Sequence, residues 1–185
     1  RQIAETMDSV GGQLNAFTSK EYTCYYFKVI DEHIELGLDL LSDMILHPTF
    51  DQKELSKEKS VILEEINMYE DSPEDLVHEL LSKAYFGNHP LALPILGTSE
   101  RLVQYTRDDL LSFMNRYYTT DNLVISAAGN FMEDDLIAMI NSYFGKWKQK
   151  AKTARQEKIN FTNTDILFAR KDIEQLHLSL AFPGI

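Results

Sequence analysis

Glu54-Leu55-Ser56-Lys57-Glu58-Lys59-Ser60-Val61-Ile62-Leu63-Glu64-Glu65-Ile66-Asn67-Met68-Tyr69-Glu70 decides how this chain is read. Its apolar residues recur three and four apart, which predicts an amphipathic helix. Asp51 stands just ahead, where an N-cap side chain would accept from the first unpaired amides. With Glu58 set at 0° and about 100° of turn per residue, Leu55, Val61, Ile62, Ile66, Met68 and Tyr69 fall on an arc centred at about 20°. Lys57, Lys59, Ser60, Glu64, Asn67 and Glu70 fall mostly outside it. Glu58 and Glu65 fall inside, two turns apart, on the face expected to be buried. A buried ionised carboxylate is normally paired, protonated or metal-bound, because isolation from water costs it several kcal/mol. Three plainer readings stand beside a chemical role. The carboxylates lie at the wet edge of the arc, or pair with an Arg or Lys from another element, or belong to an interface. The wheel also separates two neighbours: Glu65 faces in and Glu64 faces out. If either is a ligand, it is Glu65.

Working outward, Ile3 to Asp8 predicts a short helix stopped by Gly11-Gly12. Leu14 to Thr18 and the aromatic, β-branched stretch Tyr22 to Ile30 predict an antiparallel hairpin turning at Ser19-Lys20-Glu21. Glu32 to Leu46 is helical by its spacing and ends before His47-Pro48. A further helix starts at Ser72-Pro73-Glu74, an N-cap followed by proline at the first helical position, and runs to about Phe86. Others are expected at Ser99 to Val103, Arg107 to Tyr118 and Glu133 to Phe144. Asn122 to Ala128 predicts a buried strand, Lys146 to Lys158 a polar linker, and Leu176 to Phe182 a further strand. The order predicts an α+β fold, an antiparallel sheet with helices packed on one face.

Composition excludes several classes. The 185 residues carry 18 Lys+Arg against 29 Asp+Glu, a net charge of −11. No basic cluster exists for neutralising phosphates, so no nucleic-acid partner is expected. No apolar run reaches the roughly 18 residues a membrane span needs. Cys24 is the single cysteine, which rules out an internal disulfide. The acidic balance would attract basic peptides over long range, although most of it reads as solvated surface. The chain opens on Arg1-Gln2-Ile3, already helical, and closes on an apolar run followed by Pro183-Gly184-Ile185. Both ends are therefore expected to be cut ends of a longer protein.

The five histidines offer little. A zinc site on one helix needs two imidazoles four apart with a carboxylate between them. His78-Glu79-Leu80-Leu81-Ser82 starts that way, but Ser82 takes the second ligand's place. His47 and His89 precede prolines and read as turn residues. His33 has no partner at that spacing, and His177 alternates with apolar neighbours, like a strand residue. No phosphate-binding glycine loop and no Gly-x-Ser-x-Gly elbow is present.

Several stretches together resemble one family. Gly11-Gly12-Gln13-Leu14-Asn15-Ala16-Phe17-Thr18-Ser19 with Tyr22-Thr23-Cys24-Tyr25-Tyr26 resembles the segment after the catalytic helix of pitrilysin/insulinase-type zinc peptidases. Glu58 to Ile66, Asp71-Ser72-Pro73-Glu74, Pro94 to Thr98, Asp121 to Val124 and Glu174 to Leu178 fit in the same order. The resemblance spans nearly the whole chain and is nearest to the bacterial branch resembling mitochondrial processing peptidase.

The resemblance implies a zinc metalloendopeptidase holding one zinc ion. In that family His-x-x-Glu-His supplies two ligands and the base, and a later glutamate supplies the third, which maps to Glu65. Glu58 maps to a supporting acidic position. Three protein ligands leave a fourth place for water. The motif is missing from this chain, so it is expected upstream of Arg1, and the chain alone should be inactive and hold zinc poorly. Asn15, Ala16 and Phe17 map to an edge strand where peptide substrate adds as a β-strand. A free edge is usually blunted by charge or proline, and residues 14–18 contain neither. The implied layout is residues 1–145 as most of the first peptidase domain, without its N-terminal strand and catalytic helix, 146–170 as linker, and 171–185 as the first strand of a second, homologous domain. The implied partners are a peptide substrate and a second half of the same fold, in cis or as a subunit, with a homodimer also allowed. Neither nucleic acid nor membrane is implied. The implied setting is the bacterial cytoplasm, with the mitochondrial matrix as alternative. Two rivals stand: a non-catalytic scaffold or partner subunit of this fold, and an acidic protein-binding module in which Glu58 and Glu65 merely pair with basic residues.

Overall fold

The computed structural model describes residues 2–147 and 166–183. The described residues divide into two units: 2–18, 23–50 and 107–147 form the first, and 19–22, 51–106 and 166–183 the second. Most of the expected 146–158 linker lies outside the described residues.

In the first unit, helix α1 (Gln2–Ser9) is followed by strands β1 (Gln13–Thr18) and β2 (Thr23–Lys28). The double glycine ends α1 as expected. Gly11 takes a φ of +67°, open to glycine without strain, and the Gly12 amide donates back to Met7 O at 3.1 Å. That closure seals Met7, which is 1% exposed. The strands pair antiparallel from Gln13↔Lys28 through Asn15↔Tyr26 and Phe17↔Cys24 to Thr18↔Thr23. Helix α2 (Ile34–Leu46) packs on β2. Gly37 makes this possible: a Cβ there would lie 2.4 Å from the Phe27 ring. Helix α7 (Glu133–Phe144) lies along α2, and Leu38, Ile45, Leu136 and Phe144 are buried in this unit. Helix α6 (Arg107–Tyr117) is tied in where the Arg107 guanidinium donates to Thr49 O at 3.2 Å.

The second unit is built on helices α3 (Gln52–Asp71), α4 (Pro73–Phe86) and the short α5 (Ser99–Gln104). The predicted caps are in place. Asp51 accepts from the Lys53 and Glu54 amides at 2.9 and 3.1 Å, and Ser72 from Asp75 at 3.3 Å. Helix α3 packs on α4 and α5. The Lys59 ammonium donates to Val103 O at 3.1 Å and to Tyr105 O, satisfying carbonyls that the end of α5 leaves unpaired. Lys20, in the turn between the strands, pairs with Glu79 of α4 at 3.2 Å and donates to Leu93 O at 2.6 Å.

The helix-rich α+β class is as expected, with a small antiparallel sheet. Two expected strands are absent among the described residues. Residues 123–128 and 176–182 carry no ladder, and the sheet has two strands. Asn122 to Ala128 is not buried either: Val124 is 90% exposed. An apolar, β-branched run becomes a strand only where a neighbour takes up its amides and carbonyls, and no described segment does so here.

Candidate functional site

Two groups of residues were singled out by the sequence, and they fall in different units. Asn15, Ala16 and Phe17 lie on β1 in the first, Glu58 and Glu65 on α3 in the second.

On β1 the hydrogen-bond parity is set by the turn. Ser19 N–H donates to Tyr22 O at 2.8 Å. In an antiparallel pair, bonded and non-bonded positions alternate. Gln13, Asn15 and Phe17 therefore exchange bonds with β2, while Leu14, Ala16 and Thr18 aim N–H and C=O at the outer edge. Among the described residues no strand pairs with that edge. Phe17 and Tyr26 are both exposed, their ring centroids 6.3 Å apart. Opposite in register, Cys24 is half-buried beside them. The predicted trio is therefore exposed along a strand edge able to accept another strand.

On α3 the expected burial is corrected. Glu58 and Glu65 are exposed, and so is Glu64, so burial does not separate Glu65 from its neighbour. The covered flank is Leu55, Lys59, Ile62, Leu63 and Ile66, which on the wheel is rotated by about 60° from the expected centre. Val61, Met68 and Tyr69 stand exposed beside the two glutamates, Met68 at 71%. The apolar residues of α3 span a wider sector than α4 and α5 cover. Lys59 fixes which flank is covered, because its bonds to Val103 and Tyr105 turn that side inward.

Among the described residues no three His, Cys, Asp or Glu converge so as to hold a metal ion. Glu65 offers one carboxylate and belongs to no such group, so the described residues do not by themselves fit a zinc site. The His78-Glu79 half-motif is structural, Glu79 being held by Lys20. His89 is a turn residue, as read, its Nδ1 accepting from the Leu91 amide at 3.2 Å. A groove of about 900 Å³ runs between α4 and residues 166–183 of the same unit, lined by Leu76, Leu80, Tyr85, Phe168 and Leu176 among others. None of the predicted site residues lines it, and sequence reasoning did not foresee it.

The family model described as insulinase (peptidase family M16) matches residues 1–99, and that described as peptidase M16 inactive domain matches 104–185. The chain belongs to peptidase family M16. A zinc protease of Bacillus subtilis strain 168 is 54% identical over all of this chain and 45% of its own length. One from Mycobacterium leprae is 37% identical over 96% of this chain and 41% of its own. The chain thus spans somewhat under half the length of these M16 relatives. An M16 inactive domain from Pseudomonas fluorescens shares the fold, with a TM-score of 0.78 at 21% identity over 85% of this chain and 39% of that one. An M16-like peptidase from Alicyclobacillus acidocaldarius gives 0.71 at 26% identity over 88% of this chain and 38% of that one.

Proposed function

We propose that this M16 chain is part of a zinc metalloendopeptidase that hydrolyses peptides held as an added strand on β1 in a closed chamber. Glu65 supplies one zinc ligand from α3 and Glu58 supports it. The two histidine ligands and the base glutamate come from a His-x-x-Glu-His segment upstream of Arg1. The single ion is held only once those residues are present, and the second half of the fold, in cis or as a subunit, closes the chamber. Residues 1–145 then serve as most of the first peptidase domain, 146–170 as linker and 171–185 as the opening of the next. The observation that carries this reading is the identity with a zinc protease along the entire chain. The outward-facing edge of β1 supports the peptide site. A cytoplasmic setting in a bacterium belongs to the same proposal.

The test is made in the full-length protein. Glu65→Gln should lower bound zinc and peptide hydrolysis by on the order of 100-fold or more, since even indirect partners of a metal cost 10- to 100-fold. Glu64→Gln should be nearly silent. Metal content by mass spectrometry and hydrolysis of a quenched fluorescent peptide read both, and equal losses, or none, would sink the ligand assignment.

The match of residues 104–185 to a domain described as inactive favours a second reading, a non-catalytic scaffold or partner subunit of the same fold. Sequencing the coding region ahead of Arg1 separates the two. His-x-x-Glu-His there supports the peptidase, and its absence supports the scaffold.

A further inference from the structure

The outer edge of β1 is not bare. Ala16 is one of the residues whose N–H points away from β2, and that N–H donates to Oδ1 of its own neighbour, Asn15, at 2.8 Å. Asn15 is itself bonded to β2 through its backbone, by the parity that the Ser19–Tyr22 bond sets. Its carboxamide is therefore spare, and it has turned to the edge.

Unpaired strand edges are templates for unwanted pairing, and proteins blunt them with charge, proline or bulges. Residues 14–18 carry none of these, and the register runs unbroken from Gln13↔Lys28 to Thr18↔Thr23. The Asn15 carboxamide is a polar group that meets the edge at its middle.

We propose that the Asn15 side chain is a placeholder. It occupies the hydrogen-bonding position at Ala16 N–H that a carbonyl of an added strand would take, and it swings aside when an extended peptide binds. The inference rests on the reading of β1 as the peptide-binding edge. A ligand that makes one bond to the edge gains nothing at Ala16, because it exchanges one acceptor for another. A segment long enough to bond at Leu14, Ala16 and Thr18 together displaces the carboxamide and wins at the flanking positions. The placeholder thus selects for extended peptides over short contacts, and keeps the edge quiet when no peptide is present.

The test uses the full-length protein and an uncharged decapeptide of alternating threonine and valine, labelled with fluorescein, its binding read by stopped-flow anisotropy before turnover. Asn15→Ala removes the competitor and should tighten binding by roughly threefold to tenfold, the worth of one exposed hydrogen bond. Asn15→Asp strengthens the cap by adding charge to the acceptor and should weaken binding by a similar factor. Ala16→Pro deletes the outward N–H while sparing the ladder to β2, a place where an edge strand tolerates proline. It should weaken binding and leave the Asn15→Ala change without effect. Thermal melts confirm that each variant is folded. Asn15→Ala that loosens binding, or Asn15→Asp that tightens it, would overturn the placeholder while leaving the edge reading intact. Binding indifferent to Ala16→Pro would overturn the edge reading itself, and the placeholder with it.

Discussion

Tyr25 of β2 and Tyr118 meet hydroxyl to hydroxyl at 2.8 Å, their rings edge-on with centroids 6.3 Å apart. Burial first, and the bond to Tyr118 second, raise the Tyr25 phenol well above tyrosine's ordinary 10.0. The sign follows from linkage. The unfolded chain gives up this proton near its ordinary value while the folded chain keeps it. The contribution to stability is therefore whole below about pH 10 and is lost as pH climbs towards the folded value. Tyr25→Phe should flatten the decline of stability above pH 10, as read by urea unfolding at pH 8, 10 and 11. An equally steep decline in the variant would refute the assignment. At this scale the sequence was partly legible. Periodicity showed that Glu58 and Glu65 share a side of α3 with Val61, Met68 and Tyr69. It could not show which side of a broad apolar sector is covered, because Lys59 settles that by reaching Val103 and Tyr105, more than 40 residues away.

Elements were legible wherever local chemistry defines them. Asp51 and Ser72-Pro73 mark helix starts by satisfying amides that the helix cannot, and Gly11-Gly12 marks an end. The hairpin followed from two β-prone runs and a polar turn. What spacing does not disclose is the contact that docks one element on another. Gly37 of α2 is such a contact, with room for nothing larger beside the Phe27 ring. Gly37→Ala gains up to about 1 kcal/mol of helix propensity, but must move the ring or the helix. A net loss of about 1–3 kcal/mol is expected, typical of overpacking. Combining it with Phe27→Leu should return part of the loss, by removing the atoms that the new methyl meets. Guanidinium unfolding of the two variants measures both, and an unimpaired Gly37→Ala would show that α2 does not rest on β2 through this position.

For the whole molecule, the segments read as strands and found without ladders say most. Leu176, Leu178, Leu180 and Phe182 are strongly exposed, whereas His177 and Ser179 between them are half-buried. The alternation that suggested a strand is real, but its apolar face is the outward one. Strand character depends on partners far away in sequence, so these runs were legible as β-prone and illegible as to pairing. With Val61 and Met68 on α3, and Val124 in the first unit, they leave apolar side chains open to a dye. The 185-residue chain should accordingly bind an apolar dye such as anilinonaphthalene sulfonate strongly. A chain of the full length of its relatives should bind several-fold less per molecule. Equal dye fluorescence from both would show that the longer protein leaves these faces bare.

Cys24 has one more use. It is the chain's single cysteine and stands opposite Phe17 across the hairpin. Converting its thiol to a thiocyanate would give an infrared oscillator whose frequency reads the local field beside β1. Within these 185 residues no other cysteine competes for the label. The protein carries its own spectroscopic listening post, one strand in from the edge where a peptide would arrive.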